Sequence, residues 1–503
     1  MADPDFPLIN NVFVLMLENH SFDNLLGFSG ITGNDAQTGN PTQINGLTGN
    51  ESNTLSGQPY FAKQPAPPSM SVDPGHEFVD TLLQLTGQSN YDPSVGYPAI
   101  DCSGFADDYA NSATPDEGHP AGNFGDIMLG FSAAQLPVLN ALAREFAVCD
   151  NWFSSIPGPT WPNRFFLHAA SSGGLDHSPT TAEILAWEGI GGVDFKNGTV
   201  FDQLKRIFDN PYRIYRGENF LSDTFPGVAA LKGINALDCH PISGFAGDIQ
   251  GDYPWPYTFI EPSYGDALNN TYYGGTSMHP MDSPTGGETL IKQVYETIRN
   301  SPLWEKSLLI VTWDEHGGFY DHVQPPKAQA PGDGVITPTM NQYGFDFTQY
   351  GVRVAAVICS PLISKNSIDH RLYDHSSVSR TLSDLFQTDL LTKRDSNANS
   401  LFPLLLMEAT PRTDCITTLP EPATPAPPPA AAVVAPGAIP ANHGSLPGFL
   451  HAALKTDLDL SPPAAHPEIM ARFGAIVTQQ DAAAYMTSVQ AKMPGGATPA
   501  GAQ

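Results

Sequence analysis

Two continuous apolar runs constrain the fold of this chain more than any other feature. Val12 to Glu18 (VFVLMLE) and Ser307 to Glu315 (SLLIVTWDE) are short, rich in aliphatic and β-branched residues, and nearly free of polar side chains until they end. A run of that kind suits a strand buried on both sides, as in a parallel sheet covered by helices, and not a strand with one wet face. Each run delivers oxygen-bearing side chains at its exit, Glu18-Asn19 in one and Asp314-Glu315 in the other, and the second is followed by the glycine turn HGGFYDH (His316 to His322). In open α/β sheets ligands collect outside the carboxyl ends of the strands, so Asp314-Glu315 reads as one half of a metal site. Taken alone, Glu18-Asn19 serves equally as a helix-capping pair.

The remaining pattern extends that sheet. Residues 253–262 (YPWPYTFIEP) and Val352 to Ser360 (VRVAAVICS) predict two further strands, the first with Glu261 at its exit. Helical spacing is present in Ser132 to Phe146, Phe201 to Phe208, Glu288 to Trp304 and Tyr373 to Phe386, and in FVDTLLQL after His76-Glu77. The third of these lies between two predicted strands, which predicts a right-handed strand-helix-strand crossover. Fold class is therefore α/β. Residues 29–75, rich in Gly, Asn, Thr, Ser and Pro, predict a long irregular loop, and loops of that size usually carry function.

Three regions are expected: a catalytic domain over 1–407, a Pro/Ala-rich linker over 408–443, and a helical C-terminal segment over 444–503 containing GFLHAALKTDL and QDAAAYMTSVQAKM. That segment could pack on the main domain, meet a partner or membrane, or have no catalytic part. A formal charge of −29 repels phosphate backbones, which argues against nucleic-acid binding. Five cysteines without a CxxC pair argue against a zinc-thiolate site; one or two disulfides stay open, with at least one thiol free. No run approaches the roughly 18 apolar residues of a membrane span, so no transmembrane segment is expected. The N-terminus MADPDFPLIN lacks signal-peptide features, leaving a secreted or periplasmic protein without its leader and a cytoplasmic one both open.

The centre of the chain carries Pro157-Gly158-Pro159-Thr160-Trp161-Pro162-Asn163-Arg164 ahead of a helical run. A hydroxyl at a helix start faces unpaired N–H groups and the positive end of the dipole, a place that binds phosphate or activates an oxygen nucleophile. Thr160 there is a nucleophile or simply an N-cap. His76, at another helix start, is structural or touches substrate. Glu18, Asn19, Asp314 and Glu315 form an all-oxygen set suited to a hard divalent cation. Cation, hydroxyl and histidine acid together are the parts needed to cleave a phosphate ester.

Four strings, Glu18-Asn19-His20-Ser21-Phe22-Asp23, Gly158 to Arg164, His279-Pro280 with Asp282, and Asp314 to His322, resemble in order the motifs of the phosphoesterase family. That family holds bacterial phospholipases C, plant non-specific phospholipases C and a group of acid phosphatases. The resemblance implies an alkaline-phosphatase-like core, a mainly parallel sheet with helices on both faces, and one divalent metal ion, calcium, manganese or zinc, held by Glu18, Asn19, Asp314, Glu315 and Thr160. It implies Thr160 as nucleophile through a phosphothreonine, His279 as the histidine serving the leaving alcohol, and His76 as a second phosphate contact. His240 is a looser third match, and Asn163, Asp282, Asp321 and His322 would orient these groups or contact substrate. Threonine, where the acid phosphatases carry serine, resembles the phospholipases more; His20 stands where arginine is frequent, and the tail after residue 408 is unlike the plant enzymes. The implied activity is hydrolysis of phosphatidylcholine-type phosphodiesters with transient contact to a membrane surface. Trp161, Trp255 or Tyr264 would meet a quaternary ammonium group or, as is more usual for a single aromatic, pack in the core. A broad-specificity phosphomonoesterase and a catalytically silent lipid- or partner-binding protein are the competing readings.

Overall fold

The structure is a computed structural model that describes residues 8–111, 120, 122–188, 191–424, 441 and 444–494. Its N-terminal part contributes β1 (Asn11–Leu17), β2 (Thr32–Asp35), β3 (Pro41–Gln43), β4 (Ser52–Leu55) and β5 (Gln58–Phe61). The middle adds β6 (Ala147–Cys149), β7 (Trp152–Phe153), β8 (Tyr212–Arg216), β9 (Cys239–Pro241) and β10 (Tyr257–Ile260). After these come β11 (Ser307–Trp313), β12 (Ala356–Cys359), β13 (Ser367–Asp369) and β14 (Tyr373–Asp374). Ten strands form one sheet in the order β3-β2-β13-β6-β12-β11-β1-β10-β8-β9. Only β3 and β12 run against the rest, so the sheet is mainly parallel as the apolar runs predict.

The two runs that define the sheet are its neighbouring central strands, paired in parallel from Asn11↔Ser307 to Leu17↔Trp313. Every residue of both is buried. Alternate side chains meet different layers: Tyr257 and Phe259 of β10 pack on Phe201 and on His168 of the Thr160–Ala169 helix, whereas Phe13 of β1 packs on Phe245 and Tyr253. Thr258, which pairs with Phe13 and lies between Tyr257 and Phe259, bonds Tyr253 instead. Both faces are thus covered, and each large side chain removed from water contributes about 1.5–3 kcal/mol. The equal register has a functional consequence, because Glu18 and Asp314 leave adjacent strands at the same level, with the Asp314 N–H bonded to the Leu17 carbonyl at 3.1 Å.

Several expectations change. Residues 29–75 are not wholly irregular: β2 and β3 extend the sheet edge and β4 pairs with β5. Glu18-Asn19 caps no helix; Ser21 accepts the Asn24 N–H and caps Phe22–Leu26 instead. The expected linker does not begin at 408, since Cys415, Ile416 and Leu419 carbonyls accept from Arg299, Tyr295 and Lys292 of the Thr285–Arg299 helix. Residues 425–440 and 442–443 of that linker lie outside the described residues. The five cysteines are all buried and all free. Among the described residues no helix is long and apolar enough to cross a membrane.

The C-terminal segment packs on the main domain. Its helices Leu446–Asp459, His466–Phe473 and Gln479–Gln490 surround Asp457, which meets Arg472, Lys492 and the Tyr485 hydroxyl. Lys455 reaches the Ile234 carbonyl at 2.8 Å, and Gln490 reaches Thr224 at 3.0 Å.

Candidate active site

The site begins where β1 ends. Asn19 takes a left-handed backbone, φ 56°, a conformation that asparagine tolerates better than most residues. Its N–H therefore turns to the Asp314 carboxylate at 3.0 Å. The turn after β11 closes on the same point. Gly317 has φ 62°, and a Cβ there would stand 2.1 Å from the Asn19 carbonyl oxygen, so glycine is required at that position.

Thr160 is the first residue of its helix, as the sequence predicts, and its hydroxyl points to Asn19 Oδ1 at 3.4 Å. Asn163, one turn on, faces backwards and donates to the carbonyls of Gly158 at 2.9 Å and Pro159 at 3.0 Å while accepting the Ile156 N–H at 3.0 Å. Its amide is spent on holding the loop that presents Thr160. Arg164 Nε donates to Asp314 Oδ2 at 2.9 Å, its guanidinium lies over the Tyr264 ring, and its Nη2 donates to the Leu17 carbonyl.

Acidic groups crowd this point. Glu18, Asp314 and Glu315 are fully buried, and Arg164 pairs with Asp314 and opposes the Glu18 carboxylate's rise. Glu18 Oε2 and Glu315 Oε1 have no hydrogen-bond partner among the described residues. Buried carboxylates do not normally go unpaired. Burial, then the facing Asp314 carboxylate, pushes the Glu18 carboxyl well above the usual range, and burial lifts Asp314 to about 6 although Arg164 opposes it. Burial would raise Glu315 too, but His76 and His316 beside it hold it below its ordinary value. The unpartnered oxygens of these buried carboxylates fit one divalent cation.

Two histidines stand around this cluster. His279 stacks flat on Tyr272 at 3.3 Å between centroids, with Nε2 3.6 Å from Asp73 Oδ2. His76 is fixed through Nδ1 at 2.9 Å from the Pro74 carbonyl, and its charge is the strongest single influence favouring the Glu315 carboxylate. The Asp73-Pro74-Gly75-His76 loop thus serves both. Asp282 shapes the turn beneath His279: its carboxylate accepts from Gly275 and Ser283, and its N–H donates to the His279 carbonyl at 2.8 Å.

Other expected residues lie elsewhere. His240 sits on β9, the outermost strand, level with Tyr215 of β8, which is level with Ile260 of β10 and, through it, Leu15 of β1. Three strand spacings, about 14 Å, separate it from β1. His322 bonds Asp23 through Nδ1 at 2.6 Å and faces Asn45 through Nε2. Asp23, Asp321 and His322 come close enough to share an ion, yet Arg353 already bridges both carboxylates at 2.9 Å and 3.2 Å. That cluster is charge-balanced, and no cation is needed there. Trp255 lies against Arg213, whereas Trp161 and Tyr264 flank the site.

Sequence reasoning passed over Arg164, Asp73, Tyr272, His375 and Ser445. His375 Nε2 lies 2.6 Å from the Asp314 carbonyl. Arg164 stood inside the Thr160 motif and Asp73 inside the His76 string, so both had a signal; Tyr272, His375 and Ser445 had none.

Crowded acidic groups beside a helix-start hydroxyl suit an anionic ester whose oxygens share a cation with the protein, which is the chemistry of a phosphoric ester hydrolase. A family model described as the phosphoesterase family matches residues 9–389. Non-specific phospholipase C3 of Arabidopsis thaliana is 33% identical over 434 residues, 82% of this chain and 76% of that protein. Phospholipase C B of Mycobacterium tuberculosis is 26% identical over 394 residues, 73% of this chain and 71% of that protein. Murine ectonucleotide pyrophosphatase/phosphodiesterase 5 aligns with a TM-score of 0.31 at 13% identity, over 53% of this chain and 92% of that one. The chain belongs to the phosphoesterase family and is a hydrolase of phosphoric esters.

Proposed function

We propose that the protein is a phospholipase C that hydrolyses phosphatidylcholine-type phosphodiesters to diacylglycerol and a phosphoalcohol. The observation that carries this reading is the Thr160 hydroxyl 3.4 Å from Asn19, beside three buried carboxylates that face one guanidinium. Relatives named phospholipase C, at 33% identity over most of the chain, support the lipid substrate.

Glu18, Asn19, Asp314 and Glu315 would hold one divalent cation, with Thr160 facing it; when bound, it supplies the charge that favours an ionised hydroxyl and screens the phosphate. Thr160 Oγ1, its proton released to solvent, attacks phosphorus at the positive end of its helix. The bond from phosphorus to the diacylglycerol oxygen breaks, and His279 gives that oxygen a proton. A water, losing its proton to His279, then attacks the phosphothreonine, releases the phosphoalcohol and returns Thr160 to its ionised form. Asp73 orients the His279 ring and Asn163 fixes the Thr160 loop.

Thr160→Ala should lower kcat on phosphatidylcholine by on the order of 10³-fold or more, as for loss of a covalent nucleophile, with Thr160→Ser recovering part. Unchanged hydrolysis by Thr160→Ala would defeat the mechanism. A strong preference of the intact enzyme for p-nitrophenyl phosphate over phosphatidylcholine would make it a phosphomonoesterase instead.

A further inference from the structure

The groups assigned to this chemistry are shut away. Glu18, Asp314 and Glu315 are fully buried, Thr160 is 2% exposed and His279 1%, so the two chains and head group of a phospholipid have no way in as the protein stands. Over Glu18, the Tyr272 ring and Trp161 lies the start of the C-terminal segment. The Ser445 hydroxyl donates to Glu18 Oε1 at 3.4 Å, and the Ser445 N–H donates at 3.2 Å to the hydroxyl of Tyr272, the ring stacked on His279. Ser445 heads the Leu446–Asp459 helix, and Gly448 and Phe449 follow on the same face. Gly448 is seated on Trp161, the neighbour of Thr160, so closely that a Cβ would come 1.9 Å from the indole. Phe449 meets Trp161 and Tyr264 edge-on, at 5.8 Å and 4.7 Å between ring centroids.

This cover belongs to a part of the chain outside the family match, which ends at residue 389, and it is joined to the domain through the Pro/Ala-rich stretch of residues 425–440. The floor beneath it includes the rings of Trp161 and Tyr264, with the Gly227–Ala230 turn against the helix. A surface of that kind suits acyl chains once the helix has left.

We infer that Ser445 and the first turn of the Leu446–Asp459 helix are an internal plug that sets substrate choice: a phospholipid surface displaces it, and a small soluble phosphodiester does not. The inference rests on the phosphoesterase site proposed above. The plug makes the enzyme selective for assembled lipid through occlusion, with no need for a larger binding pocket.

The test keeps the full chain. A protease site placed within residues 425–440 gives a protein that can be cut with both pieces present, and Gly448→Val unseats the helix from Trp161 without touching a catalytic group. Intact, cut and Gly448→Val proteins are compared on phosphatidylcholine vesicles and on p-nitrophenylphosphocholine. The soluble substrate should be turned over roughly tenfold faster or more by the cut and Gly448→Val proteins, the effect of raising a minor open population, while the rate on vesicles changes far less. Equal rates on the soluble substrate in all three proteins overturn the plug, and so does loss of activity on cutting, which would make the segment a fixed wall of the site. A protein silent on both substrates in every form defeats the phospholipase reading, and hydrogen exchange then decides the plug without turnover. Vesicles should deprotect the amides of residues 446–453 in the intact protein, and unchanged protection there overturns the inference.

Discussion

Arg164 and Asp314 meet at 2.9 Å with neither side chain appreciably exposed, so the helix that presents Thr160 is tied to the strand end that presents the cation ligands. Removing one partner of a buried ion pair leaves the other charged and unpaired, at a cost of about 3–5 kcal/mol. Arg164→Ala should therefore lower the unfolding free energy from urea titration by that margin and weaken cation binding, because Asp314 loses the donor that fixes Oδ2. Arg164→Lys keeps a charge but not the fork that also reaches the Leu17 carbonyl, and should fall between the two. A wild-type midpoint and wild-type cation affinity in Arg164→Ala would contradict this coupling.

The unpartnered oxygens of Glu18 and Glu315 predict that a divalent cation is also a folding ligand. Anything that binds the folded chain alone stabilises it by about 2.7 kcal/mol at a hundred times its Kd. Chelation should lower Tm and abolish activity together, and titration with calcium, manganese or zinc should restore both with one midpoint. Glu18→Gln relieves part of the repulsion, so it should narrow the Tm gap between chelated and loaded protein while losing affinity. Full activity after exhaustive chelation would sink the cation assignment.

Much of this site is readable from the chain because parallel strands buried on both faces leave a strong mark: a run such as Val12 to Leu17 has no polar face, and the first polar residue after it must mark the exit. What lies beyond the strand ends carries less local information. The strands β2 and β3 sit at the sheet edge with mostly exposed residues, so they lack the alternation that would set them apart from loop. His240 matched a motif only loosely, and its place on the outermost strand follows from topology, which spacing does not encode. Ser445 is separated from Glu18 by almost the whole chain, and its contact depends on how the Leu446–Asp459 helix seats on Trp161.

His279 is assigned to the leaving oxygen, and that role has a signature that a packing role lacks. A general acid matters most when the departing group is a poor one, and typically contributes 10²–10⁴-fold. In single turnovers read at release of the first alcohol, before the phosphothreonine is hydrolysed, His279→Gln should lose about that factor on phosphatidylcholine, whose alcohol needs a proton, and much less on p-nitrophenylphosphocholine, whose phenolate leaves unaided. Asp73→Asn should reproduce a milder form of the same split, since Asp73 acts only by orienting the ring at 3.6 Å. An equal loss on both substrates would move His279 to phosphate binding.

Away from the chemistry, His177 joins the loop of Asp176 to the Thr181–Glu188 helix, with Nδ1 3.0 Å from Asp176 and Nε2 3.1 Å from Glu183. Asp176 in turn accepts the N–H groups of Gln342 at 2.9 Å and Tyr343 at 3.0 Å. Burial alone would push the imidazole down, but bonds to the two carboxylates outweigh it and raise it to about 9. A histidine raised on folding contributes stability that is complete below its unfolded value near 6.5 and is lost as pH rises through about 9. His177→Gln should thus cost about 2 kcal/mol at pH 6, in the range of hydrogen bonds to charged groups, and progressively less as pH rises from about 6.5 to about 9, by which point wild type has shed the charge. Urea midpoints of the two proteins measured from pH 6 to pH 10 should converge; a constant gap would mean that His177 acts through packing and not through its charge.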